Sequence, residues 1–169
     1  GGSSDAAATL HALDQLYDGK LGSSRLIELA AGIGSAVPFF LGDAAVRVSG
    51  RGERLESVNP PSALPILLLK PFFGVPTPEA YRHWLDSQEI PGVRYAPQII
   101  DGLELVNDLE RPVFAKHRFL AELKQWLLRR EEVRAALLCG SGSTMFAVLH
   151  AGADAGQLAR CARHELDPA

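Results

Sequence analysis

The sequence is poor in the features that mark several protein classes. It has two cysteines in 169 residues, Cys139 and Cys161. That is too few for a disulfide scaffold and fits a reducing, cytoplasmic setting. Apolar runs such as Ile66-Leu67-Leu68-Leu69 fall far short of the roughly 20 residues that span a bilayer. No secretory signal opens the chain. Basic excess is missing too: 17 Lys and Arg face 20 Asp and Glu, for a net charge of −3. Nucleic acid and anionic membranes are therefore not its expected partners. His11, His83, His117, His150 and His164 form no pair with each other or with cysteine at metal-ligand spacing, so zinc is not expected. There is no complete Walker loop, no nucleophile elbow and no internal repeat. Met145 is the one methionine and residue 1 is glycine, so a segment upstream of Gly1 is expected.

What is present describes an ordinary folded chain, 47% hydrophobic and 22% charged. Ala6, Leu10, Leu13 and Tyr17 lie at helical spacing within residues 5–18, with Ser3 or Ser4 as N-cap and Asp5 in the first turn. A second helix is predicted from about Ser24 to Ala31, with Leu26, Leu29 and Ala30 inward, ending before Gly32-Ile33-Gly34-Ser35. Residues 44–49 and 54–58 read as two strands around Gly50-Arg51-Gly52-Glu53. Pro65 to Lys70 reads as a strand buried on both faces. Thr77 is expected to cap a helix with Pro78 at its first position, carrying Ala80, Tyr81, Trp84 and Leu85. Residues 87–104 read as irregular. Asn107-Asp108-Leu109-Glu110 has the cap-and-reach-back pattern of a helix start. Helices are expected again over 119–130 and 154–166, with residues 134–138 and 144–149 apolar on either side of Cys139-Gly140-Ser141-Gly142-Ser143.

Three segments are candidates for a site. Gly1-Gly2-Ser3-Ser4 enters a helix, where free amides and the helix dipole favour a phosphate; a glycine-serine linker is the other reading. Gly140-Ser141-Gly142-Ser143 either wraps a phosphate or forms a tight turn. The aromatics from Pro71 to Tyr81 either stack on a flat ring or belong to the core. Cys139, with no His or Asp placed to activate it, is expected to be a packed thiol.

The order of these pieces is more telling than any one of them. Gly1-Gly2-Ser3-Ser4-Asp5-Ala6-Ala7-Ala8, Gly34-Ser35-Ala36-Val37-Pro38-Phe39-Phe40 and Arg51-Gly52-Glu53-Arg54-Leu55 come in register. So do Lys70-Pro71 through Tyr81, Asn107 to Glu110, and Gly140 to Ala147. Together they resemble the galactokinase–homoserine kinase–mevalonate kinase–phosphomevalonate kinase (GHMP) superfamily, and within it the kinases of a cytidine-diphosphate-linked methylerythritol in isoprenoid precursor synthesis. The resemblance implies an α/β (α+β) two-lobed fold. Residues 1–42 would be the end of the N-terminal lobe and 43–169 the C-terminal domain. It implies ATP and Mg²⁺ as cofactors, and phosphoryl transfer to a hydroxyl of a small cytidine diphosphate substrate. Gly1, Gly2, Ser3 and Ser4 would be the tail of the phosphate loop, with Ser3 as a candidate magnesium ligand. Gly140, Ser141, Gly142 and Ser143 would close over the phosphates, and Thr77 and Tyr81 would border the cytidine pocket. At Ala36 the sequence departs from the family, which has its catalytic aspartate there. Asp43 is close by but is not expected to replace it. The resemblance further implies an incomplete form lacking upstream strands and a catalytic lysine. The alternative is a non-catalytic relative that binds a nucleotide or a protein partner.

Overall fold

A computed structural model describes residues 1–42, 45–52, 54–58 and 63–166. The chain forms two compact units, Gly1–Pro60 and Pro61–Ala169.

In the first unit, α1 (Gly2–Leu16) and α2 (Gly22–Ile33) lead to a short 3₁₀ turn, Pro38–Leu41. Ala7, Ala30 and Val37 form a small core, with Ala6, Leu10 and Leu41 packed on it. The stripe expected on α1 is buried only at its N-terminal half: Leu13 and Tyr17 are exposed, as is Leu29 on α2. A two-helix layer this small has too little facing surface to cover a full stripe on each helix. The α1 cap also differs from expectation. Gly1 is the N-cap, and the Ser4 hydroxyl donates back to the Gly1 carbonyl at 2.7 Å. Strands β1 (Val46–Ser49) and β2 (Arg54–Ser57) pair antiparallel as a hairpin. Gly52 in its turn has φ +108°, and a Cβ there would lie 1.7 Å from the Ser35 carbonyl oxygen, so only glycine fits. Asp43, Ala44 and Glu53 lie outside the described residues.

The second unit is built on an antiparallel sheet in the order β3 (Ile66–Leu69), β7 (Met145–Leu149), β6 (Val133–Leu138). Alternation sets its two faces. Leu67, Leu69, Ala136, Leu138, Met145, Ala147 and Leu149 pack toward the main core with α5 (Arg118–Leu128) and α6 (Ala155–Leu166). On α5 the buried residues Leu120, Leu123 and Leu127 follow helical spacing, and each fully buried leucine contributes about 1.5–3 kcal/mol. The opposite face holds a second cluster, Ala135, Leu137 and Val148 against Ile100. Strand β3 is therefore not buried on both faces. Ile66 and Leu68 are 53% and 61% exposed, because the residues that cover β6 and β7 on that side leave them open.

Residues 87–104, expected to be irregular, contain a hairpin of β4 (Gln98–Ile100) and β5 (Leu103–Leu105). Its turn is Asp101-Gly102, both at positive φ, a strong two-residue hairpin signal. Asp101 forms a two-point ion pair with Arg134 of β6, at 3.1 and 2.6 Å, which holds the Asp101 carboxyl below its ordinary range. Between these elements lie α3 (Thr77–Arg82) and α4 (Glu110–Lys116).

A surface cluster joins the end of α5 to α6. The Trp126 indole donates to Glu165 at 2.8 Å, and Arg130 lies 4.0 Å from the Trp126 ring centroid while pairing with Glu165. The indole hydrogen bond, then Arg130, holds the Glu165 carboxyl below its usual value. A depressed folded-state pKa contributes stability above the unfolded value of about 4.3, and that contribution is lost as pH falls through the folded value. Glu165→Gln is thus expected to flatten the acid limb of stability against pH. Urea melts at several pH values between neutral and acid would measure it; an unchanged limb would remove Glu165 from that role.

Candidate active site

The loop between β6 and β7 is the best-built part of the second unit. The Cys139 amide donates to the Thr144 carbonyl at 2.8 Å, and the Gly142 amide to the Cys139 carbonyl at 3.0 Å. Gly140 and Gly142 have φ of +60° and +84°. A Cβ on Gly142 would also meet Leu138 Cδ1 at 2.8 Å. The glycines are therefore demanded by the backbone, and the amides of Gly140 and Ser141 donate to no protein group among the described residues.

The loop's serines are not equivalent. Ser143 is buried; its hydroxyl donates to the Phe73 carbonyl and accepts from Lys70 Nζ at 2.9 Å. The Ser141 and Thr77 hydroxyls are hydrogen-bonded at 2.7 Å. Thr77 thus spends its side chain on the loop rather than capping its own helix, which begins at Thr77 with Pro76 as N-cap. Tyr81, one turn along α3, is 64% exposed. Lys116 of α4 pairs with Glu79 and so fixes α3, and that hydrogen bond holds the Glu79 carboxyl low.

Tyr81, Trp84, Asn107, Asp108, Cys139 and Gly140 line one open cleft of about 790 Å³ with an apolar floor that includes Leu137 and Phe146. Arg111 lies 5.5 Å from the Trp84 ring centroid. Cys139, expected to be packed, is exposed at this cleft because β6 ends at Leu138.

Glu110 does not reach back to cap α4. It is buried, accepts the Leu138 amide at 2.9 Å and takes a hydrogen bond from Lys124 at 2.5 Å. Lys124, 1% exposed, also donates to the Arg94 carbonyl at 2.5 Å. Burial pushes the Glu110 carboxyl up and the Lys124 ammonium down, each against the pull of its partner. Sequence reasoning missed this pair. Its signal was a lysine on the face of α5 that otherwise carries Leu120, Leu123 and Leu127.

In the first unit, Gly1 and Gly2 have open space where a side chain would stand. The amides of Gly2 and Ser3 begin a 15-residue helix and have no helical acceptor. Ala36 sits exposed in the turn closed by the Val37 amide on the Gly34 carbonyl at 3.0 Å. Among the described residues no group of three or more His, Cys, Asp or Glu could hold a metal ion, and no helix is long and apolar enough to cross a membrane.

An antiparallel sheet backed by helices, with a glycine-bounded loop at the end of its edge strand, is the layout of a known domain. Residues 97–167 match the GHMP kinases C-terminal family. The chain is similar to 4-diphosphocytidyl-2-C-methyl-D-erythritol kinases. The one from Methylacidiphilum infernorum is 39% identical over 88% of this chain and 52% of the relative. The one from Caldanaerobacter subterraneus subsp. tengcongensis is 34% identical over 98% of this chain and 59% of the relative. A crystal structure of 4-(cytidine 5'-diphospho)-2C-methyl-D-erythritol kinase matches with a TM-score of 0.66 at 34% identity, over 98% of this chain and 62% of that one. The chain thus spans about half the length of the curated relatives it matches.

Proposed function

We propose that this chain is the part of an ATP-dependent small-molecule kinase that carries the cytidine-binding helix and the phosphate-closing loop. Its substrate is 4-diphosphocytidyl-2-C-methyl-D-erythritol, phosphorylated on a hydroxyl in isoprenoid precursor synthesis, in the cytoplasm. The observation that carries the reading is the Thr77–Ser141 hydrogen bond. It ties the helix bearing Tyr81 to the loop whose free amides suit a phosphate, so base and phosphates are addressed by joined elements. The kinase names of the relatives support the same substrate.

The residues fit these ligands. Gly1 and Gly2 leave room for an anion at the start of α1, where the unpaired amides and helix dipole favour negative charge. Gly140 and Ser141 present further amides, and Ser143 is left to hold the loop from beneath. Magnesium bound to ATP keeps most of its shell as water and phosphate oxygens, so it needs few protein ligands; Ser3 would be the one from this chain. When present it neutralises the charge on the transferred phosphoryl group. Tyr81 stacks on cytosine, and the Thr77 hydroxyl keeps α3 in place.

Tyr81→Ala tests this directly. Loss of base stacking costs about 1–3 kcal/mol. The expected result is weaker binding of the cytidine substrate with ATP nearly untouched, read by titration of each ligand. Equal losses for both would make Tyr81 part of the fold. Ala36 favours a second reading, a relative that binds nucleotide without phosphoryl transfer, because alanine accepts no proton.

A further inference from the structure

Strand β6 is an edge: it pairs with β7, and among the described residues no strand lies on its other side. An edge like this normally shows unpaired amides and carbonyls. Here side chains take the place of the missing strand. Gln98 accepts the Ala136 amide at 3.1 Å and donates to the Ala136 carbonyl at 3.0 Å. Glu110 accepts the Leu138 amide at 2.9 Å. Asn107 donates through one Nδ2 to the Leu138 carbonyl at 2.7 Å and to the Gly140 carbonyl at 2.8 Å. Residues 136, 138 and 140 alternate as the outward members of a strand do. The ladder therefore continues past the end of β6 and into the glycine loop, and Asn107 makes that crossing.

We propose that Asn107 is the positioning residue of the Gly140–Ser143 loop, fixing its first carbonyl so that the loop amides face a nucleotide phosphate. Its Oδ1 is itself fixed, accepting the Leu109 amide at 3.0 Å, so the amide cannot turn over without exchanging acceptor for donor. The buried Glu110–Lys124 pair holds the start of α4 from below. The nucleotide part of this role rests on the reading given under Proposed function; the loop positioning does not.

Asn107→Asp keeps the shape and the Oδ1 acceptor but removes both donors and sets a carboxylate against two carbonyls. Residue-resolved amide exchange and ATP titration are read together on this chain. Expected are exchange of the Cys139 and Gly142 amides faster by about tenfold or more, and ATP affinity weaker by about tenfold, consistent with two lost hydrogen bonds. Exchange in β7 stays as it was. Asn107→Ser, which keeps one donor, falls between if the aspartate variant does not fold. Gln98→Leu, which removes the side chain bonded to Ala136 two residues before Leu138 in β6, lowers the melting temperature without loosening the loop. Unchanged exchange at Cys139 and Gly142 overturns the proposal. So does faster exchange across β7 and α5 alike, which marks a merely structural residue. Faster loop exchange in the variant, together with a wild-type chain that holds no ATP, upholds the positioning and removes the nucleotide reading alone.

Discussion

Ala36→Asp is expected to raise phosphoryl transfer by about 10²–10⁴-fold, the range a positioned general base contributes. Phosphoryl transfer depends mainly on placement and charge stabilisation, so alanine at this position is expected to spare binding and to lower turnover. The structure makes the substitution a clean one. Ala36 is exposed, while its neighbours Val37 and Pro38 are buried and hold the turn. A carboxylate therefore enters without repacking. The measurement is turnover of a chimaera that joins the N-terminal part of the Caldanaerobacter relative to this chain, as it stands and as Ala36→Asp. Turnover already at the level of the relative with alanine in place sinks the assignment of position 36. Nucleotide binding without turnover in either form favours the non-catalytic reading.

Lys124→Met is expected to cost about 3–5 kcal/mol of stability, because it strands the Glu110 carboxylate in the core. The sign with pH follows from the same burial. Burial already pushes Glu110 above its ordinary value, and removing the ammonium takes away the strongest opposing pull. The folded variant then holds its proton to higher pH than the unfolded chain. Its stability is fullest below about pH 4.3 and falls as pH rises through the raised value. Urea melts of the single variant across pH measure this. Adding Glu110→Gln, which keeps an acceptor for the Leu138 amide, is expected to recover much of the loss and remove the pH slope. A single variant as stable as the parent at neutral pH would show the pair to be solvated.

Much of the second unit was legible because periodicity and burial agree there. Leu120, Leu123 and Leu127 repeat with the helix, and residues 145–149 alternate with the sheet. Asp101-Gly102 between Ile99-Ile100 and Leu103-Glu104-Leu105 was legible but outweighed by the prolines and glycines around it. Other features were not legible, since short-range rules name residue types and not long-range partners. Thr77 and Glu110 both look like capping residues, and both are drawn off by groups 64 and 28 positions away, Ser141 and Leu138. Ile66 and Leu68 share the composition of a doubly buried strand, and position in the sheet, not composition, left them open. The glycine loop was found by its residues; the side-chain ladder that sets it depends on Gln98, Asn107 and Glu110 meeting one strand.

Gly52 has a genetic consequence. Every amino acid reachable from a glycine codon by one base change carries a Cβ, and a Cβ here collides with the Ser35 backbone. The position is closed to single-step variation, and the main chain of its neighbour is locked with it. Residue 36, one place further along, is open to solvent. This turn would therefore take an aspartate in place of the alanine without moving its main chain.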